Sequence, residues 1–532
     1  MRDTLGRCRL AGRTHVLSSN RGDDNDSGWP RPAFWLTVGS SAGLALLLAY
    51  EFVHLGLYNG SSQLDDGVYF GEGVMLAHGI LPYHSYLDLQ PPGVAVIMAP
   101  FGLLGRLIGN RLAFELATGC AAAVSVANIW LLGWLLRRRH WIGVLTGLAV
   151  FGFYLDSLYS EHTIVLEPFL VLGTLVAWLI LFDDTEVATT STRRWLLAGV
   201  VLGMTTSVKL WEVIVVAFVV VLAAARGRRC VGRFVVGLIS GFGVVCVPFM
   251  LLAPGNFLRQ VVAVQLTRSH LGQVSERFRL WNLLGAPGPS ARTLALSIAV
   301  PVALWLILLS VIILSILVFR RQSSATALTH LDACALACAV VVLLSFLGTT
   351  EFDRHYGVFL APFLAIVLSG TADRLLSLGG PLVKIAAVVA TVGYVALSAR
   401  FVLDYARQPS PTASLDRLFI ARACVLSESY EPLIVADRYN LYRNGCPHVL
   451  DIYGTELADA NGQAESIRVA SSARLQADWL HWLRNADGFV LFAPIARNPD
   501  LGPVVRTYFY AHFSLASTSD GLFIYRRDRR SG

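Results

Sequence analysis

Charge is what this sequence has least of. Of 532 residues, only 15% are Asp, Glu, Lys or Arg, against roughly 25% in soluble proteins. A water-facing surface of several domains needs more charge than that, so an ordinary soluble enzyme is excluded. Disorder is excluded for most of the chain by its 55% hydrophobic content. Lysine is nearly absent, with Lys209 and Lys384 the only two; the arginine bias is that of a GC-rich, bacterial coding sequence. No P-loop is present, no cysteine spacing suits zinc, and no internal repeat of the inverted-transporter kind is visible. The first 33 residues carry six arginines and precede an apolar run too long for a cleavable signal.

What remains is apolar length. A bilayer crossing needs about 20 apolar residues. Stretches 34–54, 112–136, 141–159, 163–182, 234–252, 294–319, 333–347, 357–369 and 382–403 read as spans. Stretch 195–225 reads as two abbreviated helices meeting near Lys209, and 91–108 as an interfacial or re-entrant helix. The fold class expected is an α-helical multi-pass membrane protein of about eleven spans. Arginine clusters fall at every second turn, which places the N-terminus in the cytoplasm of a bacterial plasma membrane. The net charge of +7 is then a topology signal, and no nucleic-acid partner is implied. Three regions are expected: a disordered N-terminus over 1–33, a membrane body over 34–405 and an extracytoplasmic tail over 406–532.

The tail has a soluble composition and reads as a small α/β domain. Runs 432–437, 488–494 and 522–525 read as strands, and 476–485 as an amphipathic helix presenting Trp479, Leu480 and Leu483. Cys424 and Cys446 are the only cysteines there. Outside the cytoplasm they can oxidise, and a bridge would contribute on the order of 3 kcal/mol by chain entropy.

The outer loops hold the chemistry. The first contains Asp65-Asp66-Gly67-Val68-Tyr69, then Pro82-Tyr83, then Gln90-Pro91-Pro92-Gly93. Adjacent carboxylates at a membrane surface are costly unless hydrated, paired or used; a helix cap by Asp66 would explain only one of them. The second loop supplies Asp156, Glu161 and His162, with Glu167-Pro168 one turn into the next span. Glu161 and His162 also suit a plain water interface. Lys209 interrupts an apolar hairpin. Arg259, Arg268, His270, Arg277 and Arg279 lie in the 254–292 loop, where cations run against the usual bias; they suit anionic headgroups or a substrate phosphate. The turn 351–357 carries Arg354, His355 and Tyr356.

The order Asp-Asp-Gly-x-Tyr, Leu-x-x-Gly-x-x-Pro-Tyr, Pro-Pro-Gly resembles the first periplasmic loop of GT-C glycosyltransferases. These include lipid A aminoarabinose transferases, protein O-mannosyltransferases and mycobacterial wall mannosyl- and arabinosyltransferases. The resemblance covers roughly residues 34–403. It implies a hexosyl- or pentosyltransferase that takes sugar from a polyprenyl phosphate to a lipid, glycan or protein hydroxyl on the outer face. It implies Asp65 as general base, with Asp66 as the alternative or as its orienter, and Glu167 as a second acid before proline. It sets Lys209 close to the donor phosphate and Arg354, His355 and Tyr356 around the cavity, with Tyr69 and Tyr83 of the first loop as further substrate contacts; from the cation-rich loop, Arg268 and His270 are the candidates for the phosphate. The chain departs from the lipid A transferases at Gln90, where they carry lysine before the two prolines, and at Val68, where they carry arginine. No cofactor is required. The carboxylates leave room for a divalent metal, but no ligand set of recognisable spacing supports one. The competing readings are a transporter or lipid flippase, which leaves the Asp65-Asp66 pair without a task, and a membrane-anchored wall-polymer binding protein.

Overall fold

The computed structural model describes residues 30–54, 64–160, 163–267, 276–283, 328–349, 352–378, 381–405, 415–460, 472–498, 501–519 and 521–528. Helices dominate the part before residue 405. They are α1 (Arg31–His54), α2 (Leu64–Ala77), α3 (Gly93–Ile108), α4 (Asn110–Leu136), α5 (Trp141–Gly152), α6 (Leu155–Ser160), α7 (Glu167–Leu181), α8 (Thr192–Thr206), α9 (Val213–Arg226) and α10 (Arg228–Leu252), followed by His330–Gly348, Tyr356–Leu378 and Pro381–Tyr405. Among the described residues, five helices are long and apolar enough to cross a membrane: Arg31–Val53, Asn110–Leu136, Arg228–Leu252, His330–Gly348 and Tyr356–Leu376. The protein is a helical membrane protein with a small C-terminal sheet. The 294–319 span lies outside the described residues.

Local sequence explains the breaks. The 141–159 stretch, expected as one span, is two helices separated at Phe153–Tyr154. The 195–225 stretch splits as expected into α8 and α9. Its first half ends where the Thr205 and Thr206 hydroxyls donate to the carbonyls of Val201 (2.8 Å) and Leu202 (2.7 Å), and Ser207 Oγ to Met204 (2.5 Å). Such back-bonding competes with the helix ladder. Lys209 then takes extended backbone, φ −153°. The loop before Pro91 is not all irregular, because α2 occupies its middle, and Asp66 lies inside that helix rather than capping it.

Two packings organise the membrane body. Helices α8 and α10 meet through Gly199, Gly203, Gly237 and Gly241. A Cβ at any of these would enter the facing backbone, at Phe234, Leu238, Leu196 and Val200 respectively. This is a reciprocal pair of small-xxx-small faces. At the far end of α4, Arg139 is buried in an acidic cluster. Its Nε and Nη2 donate to Glu186 (2.5 and 2.8 Å), Nη2 also to Asp332 (2.8 Å), and Nη1 to the Ile366 carbonyl (2.7 Å). Arg374 also pairs with Asp332, and Thr329 Oγ1 with Glu186 at 2.7 Å. These charge-assisted bonds offset the cost of burying the cation.

The tail holds a four-stranded sheet of order β1-β2-β4-β3, from β1 (Val425–Ser427), β2 (Gly488–Leu491), β3 (Phe513–Ser519) and β4 (Leu522–Arg527). β1 and β2 run parallel; β4 is antiparallel to β2 and β3. The crossover includes the helix Ala473–Asn485, capped by Ser472 Oγ, which accepts from Leu475 N at 3.2 Å. Trp479 and Leu483 from its apolar face are buried, and Trp479 stacks on Phe489 at 5.9 Å. The run 432–437 is not a strand. Pro432 sits at the start of a helix, Glu431–Val435, the position where a missing N–H costs nothing.

Candidate active site

Four separated elements bring charge to one place. Glu167 opens α7, ahead of Pro168, and is fully buried. A carboxylate at a helix N-terminus meets the positive end of the dipole. Lys209 Nζ donates to Glu167 Oε1 at 2.6 Å, with both side chains buried. The same ammonium lies 3.5 Å from the Trp211 ring centroid and 4.9 Å from that of Tyr356, so two aromatic faces complete its surroundings. His355 Nε2 stands 3.9 Å from Glu167 Oε1 and 3.6 Å from Asp65 Oδ2. Tyr69 donates its hydroxyl to Asp65 Oδ2 at 3.4 Å, one turn along α2. The result is a continuous array, Tyr69–Asp65–His355–Glu167–Lys209.

The backbone that holds this array is set by the Pro-Pro-Gly turn. Gly93 N donates to the Ser207 carbonyl at 2.8 Å, and a Cβ at Gly93 would strike the Ser207–Val208 peptide. The turn before α3 is therefore seated against the turn that presents Lys209. Tyr83, in left-handed backbone at φ +63°, donates its hydroxyl to the Gln90 carbonyl at 2.5 Å. Gln90 N in turn donates to Asp88 Oδ1 at 2.8 Å.

A cavity of about 310 Å³ opens beside the array. Gln90, Lys209, Trp211, Thr349 and Tyr356 line it together with Leu210, Val261, Val262 and Leu266. Gln265 fixes its rim by donating to the Leu89 carbonyl at 3.0 Å. A pocket with one buried cation among mostly apolar and aromatic side chains suits an amphiphile with an anionic head.

Asp65 and Asp66 face different surroundings. The Asp65 side chain keeps 35% of its exposure. Partial burial raises its carboxyl above the usual range; His355 and Lys209 oppose this, and Asp353 and Glu167 add to it. Asp66 is buried, close to Glu431 of the tail, whose carboxyl is pushed well up by burial and by Asp66. Asp65, not Asp66, joins the array. Further along α2, Glu72 and Asp88 are both buried. Burial lifts Asp88 to about 8 and Glu72 well above its ordinary value, each reinforced by Asp451.

Of the other expected residues, Arg354 is half-buried with its guanidinium 5.8 Å from the Phe278 ring and close enough to Asp156 to act on its carboxyl. Arg279 bonds the carbonyls of Phe346 (3.4 Å) and Thr349, which closes the C-terminus of a helix. Arg259 reaches the tail at the Ala458 carbonyl, 3.4 Å. Glu161, His162, Arg268 and His270 lie outside the described residues, as does the Arg277 side chain. Two residues escaped the sequence reading. Trp211 covers Lys209, and Glu212 is fully buried, accepting from Thr174 Oγ1 at 2.7 Å. The signal for Glu212 was present, a carboxylate inside an apolar run. Among the described residues, no group of three His, Cys, Asp or Glu is placed to hold a metal.

Neither a family model nor a curated protein matches the chain. Solved structures do. ArnT from Cupriavidus metallidurans bound to undecaprenyl phosphate superposes with a TM-score of 0.52 at 14% identity, over 94% of this chain and 99% of ArnT. ArnT in the apo state superposes with a TM-score of 0.54 at 11% identity, over 93% and 98%. The likeness is one of fold, and it spans both the membrane body and the tail. It is the fold expected from the GT-C resemblance of the first loop.

Proposed function

We propose that this chain is a membrane glycosyltransferase that moves a hexosyl or pentosyl unit from a polyprenyl phosphate to a hydroxyl acceptor. The N-terminus is cytoplasmic, and α2, the cavity and the tail lie outside. The observation that carries this reading is the array itself: a partly exposed carboxylate and a buried, aromatic-covered lysine beside an amphiphilic cavity. The fold likeness to a protein solved with undecaprenyl phosphate supports the donor class.

The roles follow from the chemistry. An acceptor hydroxyl is a weak nucleophile, and Asp65 takes its proton as it attacks the anomeric carbon. The bond from that carbon to the phosphate oxygen breaks, and the lipid phosphate leaves with the electron pair. Lys209 meets the phosphate charge. Glu167 holds the ammonium in place, and His355, between the two carboxylates, ties base to cation. Gln90 stands at the cavity wall as a neutral hydrogen-bond donor, where the lipid A transferases place a lysine.

Undecaprenyl phosphate binding to the purified chain, followed by native mass spectrometry, tests the donor half. Lys209→Ala is expected to weaken binding at least tenfold, Asp65→Asn to leave it unchanged, and Gln90→Lys to tighten it. Equal affinity in all three variants would remove the cavity as the donor site.

A further inference from the structure

The tail touches α2 where α2 carries Asp65. Gly67 lies two residues after Asp65, and a Cβ there would enter the backbone of Tyr430 and Glu431. Gly71, one turn on, faces the Tyr439 hydroxyl and Leu450, and a Cβ would come within 2.7 Å of each. On the opposite side Gly73 abuts Met98 of α3, where a Cβ would again meet backbone. Helix α2 is thus gripped between the membrane body and the tail at a distance only glycine permits.

The grip is continued at both ends of the same region. Asp437 Oδ1 accepts from Arg111 N at the start of α4, 3.3 Å. Tyr442 stacks on His78, just past the end of α2, at 4.0 Å. Tyr430, Glu431, Asp437, Tyr439 and Tyr442 all fall inside the loop closed by the Cys424–Cys446 disulfide. Closing that loop limits how far these five residues can drift from one another.

We propose that the disulfide-closed segment 424–446 is a positioning element of the transferase centre, holding α2 so that Asp65 stands in register with His355. Tyr69 travels with Asp65 on α2, so the contact that depends on where α2 sits is the one to His355, and at 3.6 Å it is loose enough that a small shift of α2 would dissolve it. Misplacement of a catalytic group by about 1 Å costs on the order of 10²-fold in rate. The proposal rests on the reading of Asp65 as base, and it extends that reading to the tail, which otherwise has no task in the reaction.

The test reads Asp65 directly. The full-length chain in nanodiscs is treated with a water-soluble carbodiimide and glycine ethyl ester across pH, and modification of Asp65 is followed by peptide mass spectrometry. The midpoint reports Asp65 protonation whatever reaction the protein performs. Gly67→Ala is expected to lower the midpoint, because burial relaxes when α2 lifts from the tail. Gly71→Ala is expected to lower it less. Tyr439→Phe, which removes the hydroxyl that the new Cβ meets, is expected to return the double variant toward wild type. Reduction of the disulfide is expected to move the midpoint in the same direction as Gly67→Ala. In a transfer assay the same variants are expected to lower kcat with donor KM nearly unchanged. An Asp65 midpoint that stays at the wild-type value after reduction and in Gly71→Ala overturns the proposal, even if Gly67→Ala does not fold. Shifted midpoints in the variants and on reduction, with a wild type that transfers no sugar, would keep the positioning of Asp65 by the tail and remove the transferase reading.

Discussion

Lys209 and Glu167 were each visible as charges in apolar surroundings, yet their pairing across 42 residues was not. Intramembrane charge is a default functional candidate, but which acid meets which base depends on the packing of α7 on the α8–α9 turn. The pair makes a sharp stability prediction. Lys209→Met leaves the buried Glu167 without its hydrogen-bonded ammonium and with only His355 nearby, at 3.9 Å; breaking a buried pair typically costs about 3–5 kcal/mol. Lys209→Met with Glu167→Gln removes both charges and should recover most of the lost thermal stability, while undecaprenyl phosphate binding stays weak. A double variant no more stable than the single one would show that the pair does not hold the turn. Asp88 gives a pH prediction. Its carboxyl is raised by burial from 3.8 to about 8 in the folded chain, so between these values the native state holds a proton that the unfolded state has released. Stability contributed by this group is therefore lost as pH rises through that window. Asp88→Asn is expected to flatten the pH dependence of thermal unfolding between pH 5 and 8. An unchanged slope would assign that dependence elsewhere.

At the scale of elements, hydrophobic length and arginine placement were enough to find the helices but not how they meet. The motif Gly199-x-x-x-Gly203 and its counterpart Gly237-x-x-x-Gly241 were present in plain sight. Composition alone does not say that they face one another, because a small-residue stripe has no partner until the crossing is known. Gly203→Leu or Gly237→Leu must push α8 and α10 apart. Either is expected to lower the yield of monodisperse protein and its melting temperature, whereas Gly232→Ala, with nothing within 4 Å of its Cβ, should be neutral or stabilising. Equal behaviour of all three would contradict the close crossing. In the tail, the helix at Ala473–Asn485 was legible from its 3.6-residue period. The segment 432–437 misled because its β-branched run outweighed the proline that starts a helical turn. The strand β3, rich in Ser and Thr, carried too little apolar alternation to be found.

For the whole molecule, the scarcity of charge sorts the remaining charges into two sets. One set closes the arginine end of the fold, where Arg139 and Arg374 converge on Glu186 and Asp332. In the sequence these arginines mark topology, and in the structure they also pair with buried acids. Arg139→Gln is expected to destabilise the fold without changing donor affinity, since α4 separates it by some 40 Å of helix from the tail-contacting end. The other set, Asp65, Glu167, Lys209 and His355, assembles at the opposite end, beside the cavity and beneath the tail. The first loop's Asp-Asp-Gly and Pro-Pro-Gly made that end recognisable. The resemblance separates Asp65 from Asp66, but the physical ground for it, the burial of Asp66 close to Glu431, is supplied by the tail some 360 residues further along the chain and was not legible locally. The most direct measurement is sugar transfer from a radiolabelled polyprenyl-phosphate pool by the chain in proteoliposomes, wild type against Asp65→Asn. The account predicts transfer by the wild type and a loss of about 10²–10⁴-fold in the variant, with lipid-phosphate binding intact. Undiminished transfer by Asp65→Asn, or a wild type that binds the lipid and transfers nothing, would contradict it.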